Sequence, residues 1–130
     1  MENFNHKYEN YSNALLRLKE SLQIEDPDEV HIDGIIQRFE LTFELAWKCL
    51  KEYLEYMGIN DDLYGPRGVL KAAFAEGLIY DGDAWIKLLE ARSNVTHRYS
   101  YNESRKIYLD IKNNYVVLLE KLCEKLKRSE

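Results

Sequence analysis

Residues Ile36 to Met57 constrain this chain more than any other stretch. Ile36, Phe39, Phe43, Ala46, Leu50, Tyr53 and Met57 recur at three and four residues, the period of one face of an α-helix. Leu41, Leu45, Trp47 and Leu54 widen that face. So wide a stripe needs more than one neighbour to cover it. The spacing therefore predicts a central helix from about Glu29 or Gly34 to Met57, with Gly58 as its C-terminal cap.

The flanking segments supply the neighbours. Tyr8, Tyr11, Leu15, Leu18 and Leu22 form one stripe of a helix from about Asn5 to Gln23. Pro27 then stops the hydrogen-bond ladder and pushes the residue before it out of helical geometry. Pro66 suits the first position of a short helix to Glu76, expected to bury Val69, Leu70, Ala73 and Phe74 and stopped by Gly77. Asp81-Gly82-Asp83 opens another, with Trp85, Leu88, Leu89 and Arg92 on one side. Ser100-x-x-Glu103 has the spacing of a capping box. It precedes a last helix with the stripe Ser104, Tyr108, Ile111, Tyr115, Leu118, Leu122 and Leu126. No strand pattern and no internal repeat interrupts this. The expected fold is all-α, an antiparallel up-and-down four-helix bundle with its third element split into two short helices, as one domain over residues 1–130.

Composition narrows the function classes. A chain of 130 residues buries roughly two-thirds of its unfolded surface, enough for a core. A net charge of −5 excludes a generally basic nucleic-acid coat and leaves room for a local basic patch. Cys49 and Cys123 match no metal spacing and read as small buried thiols of a reducing compartment. There is no glycine-rich phosphate loop, and no cofactor is expected. The polar start Met1–His6 has no signal-peptide pattern, and no run approaches the roughly 18 apolar residues of a membrane span. A cytoplasmic protein is expected.

The chemistry concentrates in Arg92-Ser93-Asn94-Val95-Thr96-His97-Arg98-Tyr99. On a continuous helix, residues five apart diverge by about 140°, so Arg92 and His97 would point apart. Asn94 and Thr96 are poor helix formers, and Ser100 looks like a cap. Arg92 then ends one helix while His97 and Tyr99 occupy the turn before the next. Such a corner can gather all three side chains on one surface. Arginine offers a permanent fork of donors to a phosphate. Histidine can take a proton from a 2′-hydroxyl or give one to a leaving oxygen. Together they suit metal-independent cleavage of RNA by its own 2′-hydroxyl. Tyr99 could meet a base edge, orient the histidine or accept a nucleotidyl group. Arg98, Arg105 and Lys106 make the neighbourhood locally basic. The same residues also fit a hydrogen-bonded corner with no chemistry. Glu40 and Glu44 share a face of the central helix with Lys48. They read as a solvated Glu–Lys row, or as acids facing a partner or pairing with the arginine of the corner.

Several stretches carry a resemblance. They are Gln37 to Lys48, Pro66-Arg67 with Ala73-Phe74, Gly77-Leu78-Ile79 followed by Asp81 to Trp85, and Arg92-x4-His97-x-Tyr99. In these the chain resembles the nucleotidyltransferase substrate-binding proteins, a HepT-like branch of the HEPN superfamily, from about residue 8 to 122. The resemblance implies a four-helix bundle that forms a homodimer. It implies a separately encoded minimal nucleotidyltransferase (MNT) as partner, in a HEPN–MNT pair of toxin–antitoxin type. It further implies that Arg92 binds phosphate and His97 acts as acid and base at a dimer interface, and that Tyr99 is the site of silencing by adenylylation. The chain departs from the family's corner at Ser93 and Thr96, and Gly65 stands where serine is expected before Pro-Arg. The expected function is a substrate-binding subunit that holds nucleotide or RNA phosphate through Arg92, His97, Arg98 and Tyr99, with Glu40 and Glu44 nearby. The alternatives are a metal-independent ribonuclease and a helical dimer whose corner only packs. The paired carboxylates that a nucleotidyltransferase needs for magnesium are absent, so the chain is not itself the transferase.

Overall fold

The structure, a computed structural model, describes residues 2–94 and 100–127. The described residues are helical, with no strand among them. In chain order they form α1 (Glu2–Ser21), α2 (Glu29–Tyr56), α3 (Pro66–Ala75), α4 (Gly82–Asn94), α5 (Tyr101–Asp110), a π-helical turn (Ile111–Tyr115) and α6 (Val116–Lys127). The last three are continuous and form one rod. None of these helices is long and apolar enough to cross a membrane.

α2 is central, as its wide stripe predicts. It packs against α1, α3, α4, α5 and α6. Ile32, Ile35, Ile36, Phe39, Phe43, Ala46, Cys49, Leu50 and Leu54 are buried along it. Each large side chain buried in this way contributes about 1.5–3 kcal/mol relative to exposure. Thr42 is buried among them, and its hydroxyl donates back to the Arg38 carbonyl at 2.7 Å, so the Thr42 hydroxyl is not left bare. The far side of the stripe is open: Leu41 is 55% exposed and Met57 43%. The expected burial of Leu41 fails because it lies on the outer side of α2.

Local chemistry sets the ends. Asp28 caps α2, its carboxylate accepting from the His31 backbone N–H at 2.9 Å and from the His31 ring at 2.8 Å. Those bonds, the backbone one foremost, hold the Asp28 carboxyl below its usual range. Gly58 (φ 86°) and Gly77 (φ 73°) follow α2 and α3 in the left-handed region that glycine enters without penalty. Pro66 opens α3. The Ser100 capping box forms: the hydroxyl accepts from the Glu103 N–H and donates to the Glu103 carboxylate, both at 3.1 Å.

α1 is tied to α6 by two phenols. Tyr11 is fully buried and donates to the Leu119 carbonyl, and Tyr8 donates to the Cys123 carbonyl at 3.2 Å. Burial pushes the Tyr11 hydroxyl well above 10, with smaller contributions from Cys123, Cys49 and Tyr8. Cys49 and Cys123 are both buried and form no disulfide.

The last rod departs from the expected steady stripe. Ser104, Tyr108 and Ile111 are buried as predicted, but the next buried positions are Val116, Leu119, Leu122, Cys123 and Leu126. The Val116 N–H bonds to the Ile111 carbonyl, five residues back. That wider turn advances the inward face by one residue. Tyr115 and Leu118, expected inside, become half-buried. Tyr115 stacks on Phe39 of α2, with ring centres 5.7 Å apart.

Candidate functional site

α4 carries the first residue of the sequence-predicted corner. Trp85, Leu88 and Leu89 are buried and fix the helix against the core. α4 runs past Arg92 to Asn94, and the Ser93 hydroxyl donates back to the Leu89 carbonyl at 3.1 Å. Arg92 therefore lies in the last turn of α4, immediately before residues 95–99. His97, Arg98 and Tyr99 lie outside the described residues.

The Arg92 guanidinium meets Glu44 on α2 in an ion pair, with side-chain exposures of 31% and 28%. It also lies over the Phe43 ring, 5.9 Å from the centroid. The Glu44 carboxylate accepts from Trp47 Nε1 at 3.2 Å, and Lys48 Nζ stands 3.8 Å away. One acid thus gathers three donors. Two of the three sequence readings of Glu44 apply at once: the Glu–Lys row exists, and the same carboxylate holds the corner arginine. Glu40, one turn earlier, is half-buried and makes no ion pair with any described residue. The structure brings Glu44 and Arg92 together and leaves Glu40 outside that cluster.

Arg92 also borders an open cleft of about 610 Å³ between the last turns of α4 and the first turn of α3. Arg67, exposed on α3, lines its other side. The sequence noted Arg67 only as part of the Pro-Arg pair opening a helix. Its approach to Arg92 depends on how α3 folds against α4, which neither periodicity nor spacing reveals. The Tyr115 hydroxyl is pushed up, chiefly by burial and then by the charges of Asp110 and Glu90.

Comparison with known proteins agrees with this picture. The family described as "Nucleotidyltransferase substrate binding protein like" matches residues 6–128. The protein named "Probable ribonuclease HepT" from Haemophilus influenzae is 31% identical over 100 residues, covering 75% of this chain and 68% of that protein. A crystal structure of a Thermus thermophilus protein superposes with a TM-score of 0.82 at 36% identity, over 91% of this chain and 99% of that one. A chain in the structure of the toxin–antitoxin MntA–HepT shares the fold, with a TM-score of 0.80 at 12% identity over 98% of this chain and 99% of that one. By its central helix, its α4 arginine and these matches, the chain belongs to the nucleotidyltransferase substrate-binding protein family, of HepT-like type.

Proposed function

We propose that this chain is the partner subunit of a separately encoded minimal nucleotidyltransferase, in a HEPN–MNT pair of toxin–antitoxin type working in the cytoplasm. Residues 1–130 act as one HEPN-like domain, an antiparallel up-and-down four-helix bundle whose third element is split into α3 and α4. The bundle forms a homodimer and needs no cofactor. It binds a nucleotide or RNA phosphate at Arg92, His97, Arg98 and Tyr99, with Glu40 and Glu44 bordering the site.

The observation that carries this reading is the hold of α2 on Arg92. A guanidinium left free on a helix end samples many rotamers. Glu44 and Phe43 restrict it, so less freedom is lost when a phosphate binds. The fork keeps further N–H donors beyond those facing Glu44. The cognate nucleotidyltransferase, co-expressed with this chain, should co-purify with it through size exclusion. Two separate peaks at micromolar concentrations would overturn the pairing.

The likeness to the Haemophilus influenzae protein named "Probable ribonuclease HepT" favours a second reading, in which the corner cuts RNA. His97 would take the 2′-hydroxyl proton as that oxygen attacks the adjacent phosphorus. The bond to the 5′-oxygen breaks, and a proton passes to the leaving oxygen. The products are a 2′,3′-cyclic phosphate and a free 5′-hydroxyl, with Arg92 offsetting charge on the phosphoryl oxygens. Adenylylation would silence this: the Tyr99 phenol oxygen attacks the α-phosphorus of ATP and releases pyrophosphate. Purified protein should then cleave RNA in chelator, and His97→Ala should abolish cleavage. Activity that persists in His97→Ala would reject this role.

A further inference from the structure

Two neighbouring rings of α2 each carry a side chain from another helix. Phe39 and Phe43 are four residues apart, so they share a face and stand about 6 Å apart along the axis. Both are fully buried. Tyr115 of the π-helical turn stacks on Phe39, with ring centres 5.7 Å apart and planes 22° apart. The Arg92 guanidinium lies over Phe43, 5.9 Å from the ring centroid. The face of α2 therefore sets the Tyr115 phenol beside the Arg92 guanidinium. Glu90, two residues before Arg92 on α4, acts electrostatically on that phenol, so the ring stands within reach of the last turns of α4.

The π-helical turn puts Tyr115 in this position. A regular α-helix would carry the stripe of Tyr108 and Ile111 on through Tyr115 and bury it. The wider turn gives the buried place to Val116 and leaves Tyr115 half-buried. Turns of this kind recur at functional sites. The Tyr115 hydroxyl bonds to no described residue and is not sealed from solvent. The phenols of Tyr8 and Tyr11, by contrast, are engaged by carbonyls of α6. Charge restricts what the free hydroxyl can meet. The charged groups acting on it are Asp110 and Glu90, and no described cation is among them. Asp110 is paired with Lys106, and Glu90 makes no ion pair with any described residue. The charge of Arg92 is offset by Glu44. A second anion at the phenol would face these acids with no cation of its own, whereas a neutral acceptor would not be repelled.

We infer that Tyr115 is a ligand-contacting residue of the site at Arg92, its hydroxyl donating a hydrogen bond to a neutral oxygen of the nucleoside next to the phosphate that Arg92 holds. That oxygen is a ribose hydroxyl or a base carbonyl. The inference rests on the reading of Arg92 as a phosphate ligand and deepens it by naming what binds beside the phosphate. Arg92 supplies charge. Tyr115 supplies an uncharged donor that tells a nucleotide from a bare phosphate.

The test uses the full chain carrying Tyr115→Phe, which keeps the ring on Phe39 and removes only the hydroxyl. Its urea midpoint at neutral pH should match wild type, since the hydroxyl holds no described residue. Anisotropy with a labelled single-stranded oligoribonucleotide should show affinity lower by about three- to tenfold, the loss of one uncharged hydrogen bond. The slope of log affinity against log salt should stay as in wild type, because no phosphate contact is lost. The deoxy oligonucleotide with the same bases separates the two acceptors. An equal loss on both strands assigns a base carbonyl, and a loss on the ribo strand alone assigns a ribose hydroxyl. Unchanged affinity, a flattened salt slope, or a loss that comes with a lowered urea midpoint would each overturn the inference. The reading beneath it fails separately, in Arg92→Ala. Weak binding by Arg92→Ala with full binding by Tyr115→Phe would remove the Tyr115 contact and keep the phosphate ligand. Full binding by Arg92→Ala with weak binding by Tyr115→Phe would remove the phosphate ligand and with it the place assigned to Tyr115.

Discussion

The Glu44 carboxylate on α2 grips the Arg92 guanidinium on α4, and so ties the corner arginine to the most deeply packed helix of the fold. Both side chains are about one-third exposed, so solvent screens the pair and its worth is modest. A double-mutant cycle of Glu44→Ala and Arg92→Ala, followed by urea unfolding, should return a coupling energy of about 1 kcal/mol. A coupling indistinguishable from zero would mean that Glu44 does not restrain the arginine.

Two glycines should respond oppositely to alanine. A Cβ at Gly68 would run into the Asp62 carbonyl oxygen, and backbone cannot swing aside as a side chain does. Gly68→Ala should lower stability by about 1–3 kcal/mol. Gly34 lies within α2, and a Cβ there meets nothing within 4 Å. Gly34→Ala should raise stability by about 0.5–1 kcal/mol through helix propensity alone. Denaturation midpoints that move the same way for both would contradict this account of the α3 turn.

Much of the helical layout was legible in the sequence, because its signals are local. Pro27, Pro66 and the Ser100–Glu103 box act within a turn or two of where they stand. The inward face of α6 was not legible. The five-residue turn at Ile111 leaves no mark in composition, and it moves burial from Tyr115 and Leu118 to Val116 and Leu119. Phe74 was misplaced as well: it is 53% exposed, and the α4 residue beside its ring is Gly82, which has no side chain to cover it. At the site, Glu44 could be named from its spacing but not assigned to Arg92, since that choice depends on how α4 docks. Arg67 was visible as a motif residue, and its place beside Arg92 was not.

Tyr11 makes the stability sensitive to alkali. Its folded pKa lies above the unfolded value of about 10, so below pH 10 both states keep the proton and the contribution is fully present. Above about pH 10 the unfolded chain ionises first, and stability falls as pH rises. Tyr115, shifted in the same direction, adds to that loss. Tyr11→Phe should cost about 1 kcal/mol at neutral pH, through the lost bond to Leu119, and should decline less steeply than wild type above pH 10. Parallel pH profiles for the two proteins would contradict this.

If the partner transferase modifies this chain, incubation with it and ATP should add one AMP mass, mapping to Tyr99. Tyr99→Phe should remain unlabelled. Equal labelling of that variant would move the acceptor elsewhere.

The central claim is that Arg92 binds phosphate. Fluorescence anisotropy of a labelled single-stranded oligoribonucleotide, at fixed salt, tests it most directly. Arg92→Ala should weaken binding by roughly tenfold or more, the loss of a charge-assisted contact of about 1.5–3 kcal/mol. An Arg92→Ala protein that is folded and binds the oligonucleotide as tightly as wild type would contradict the account.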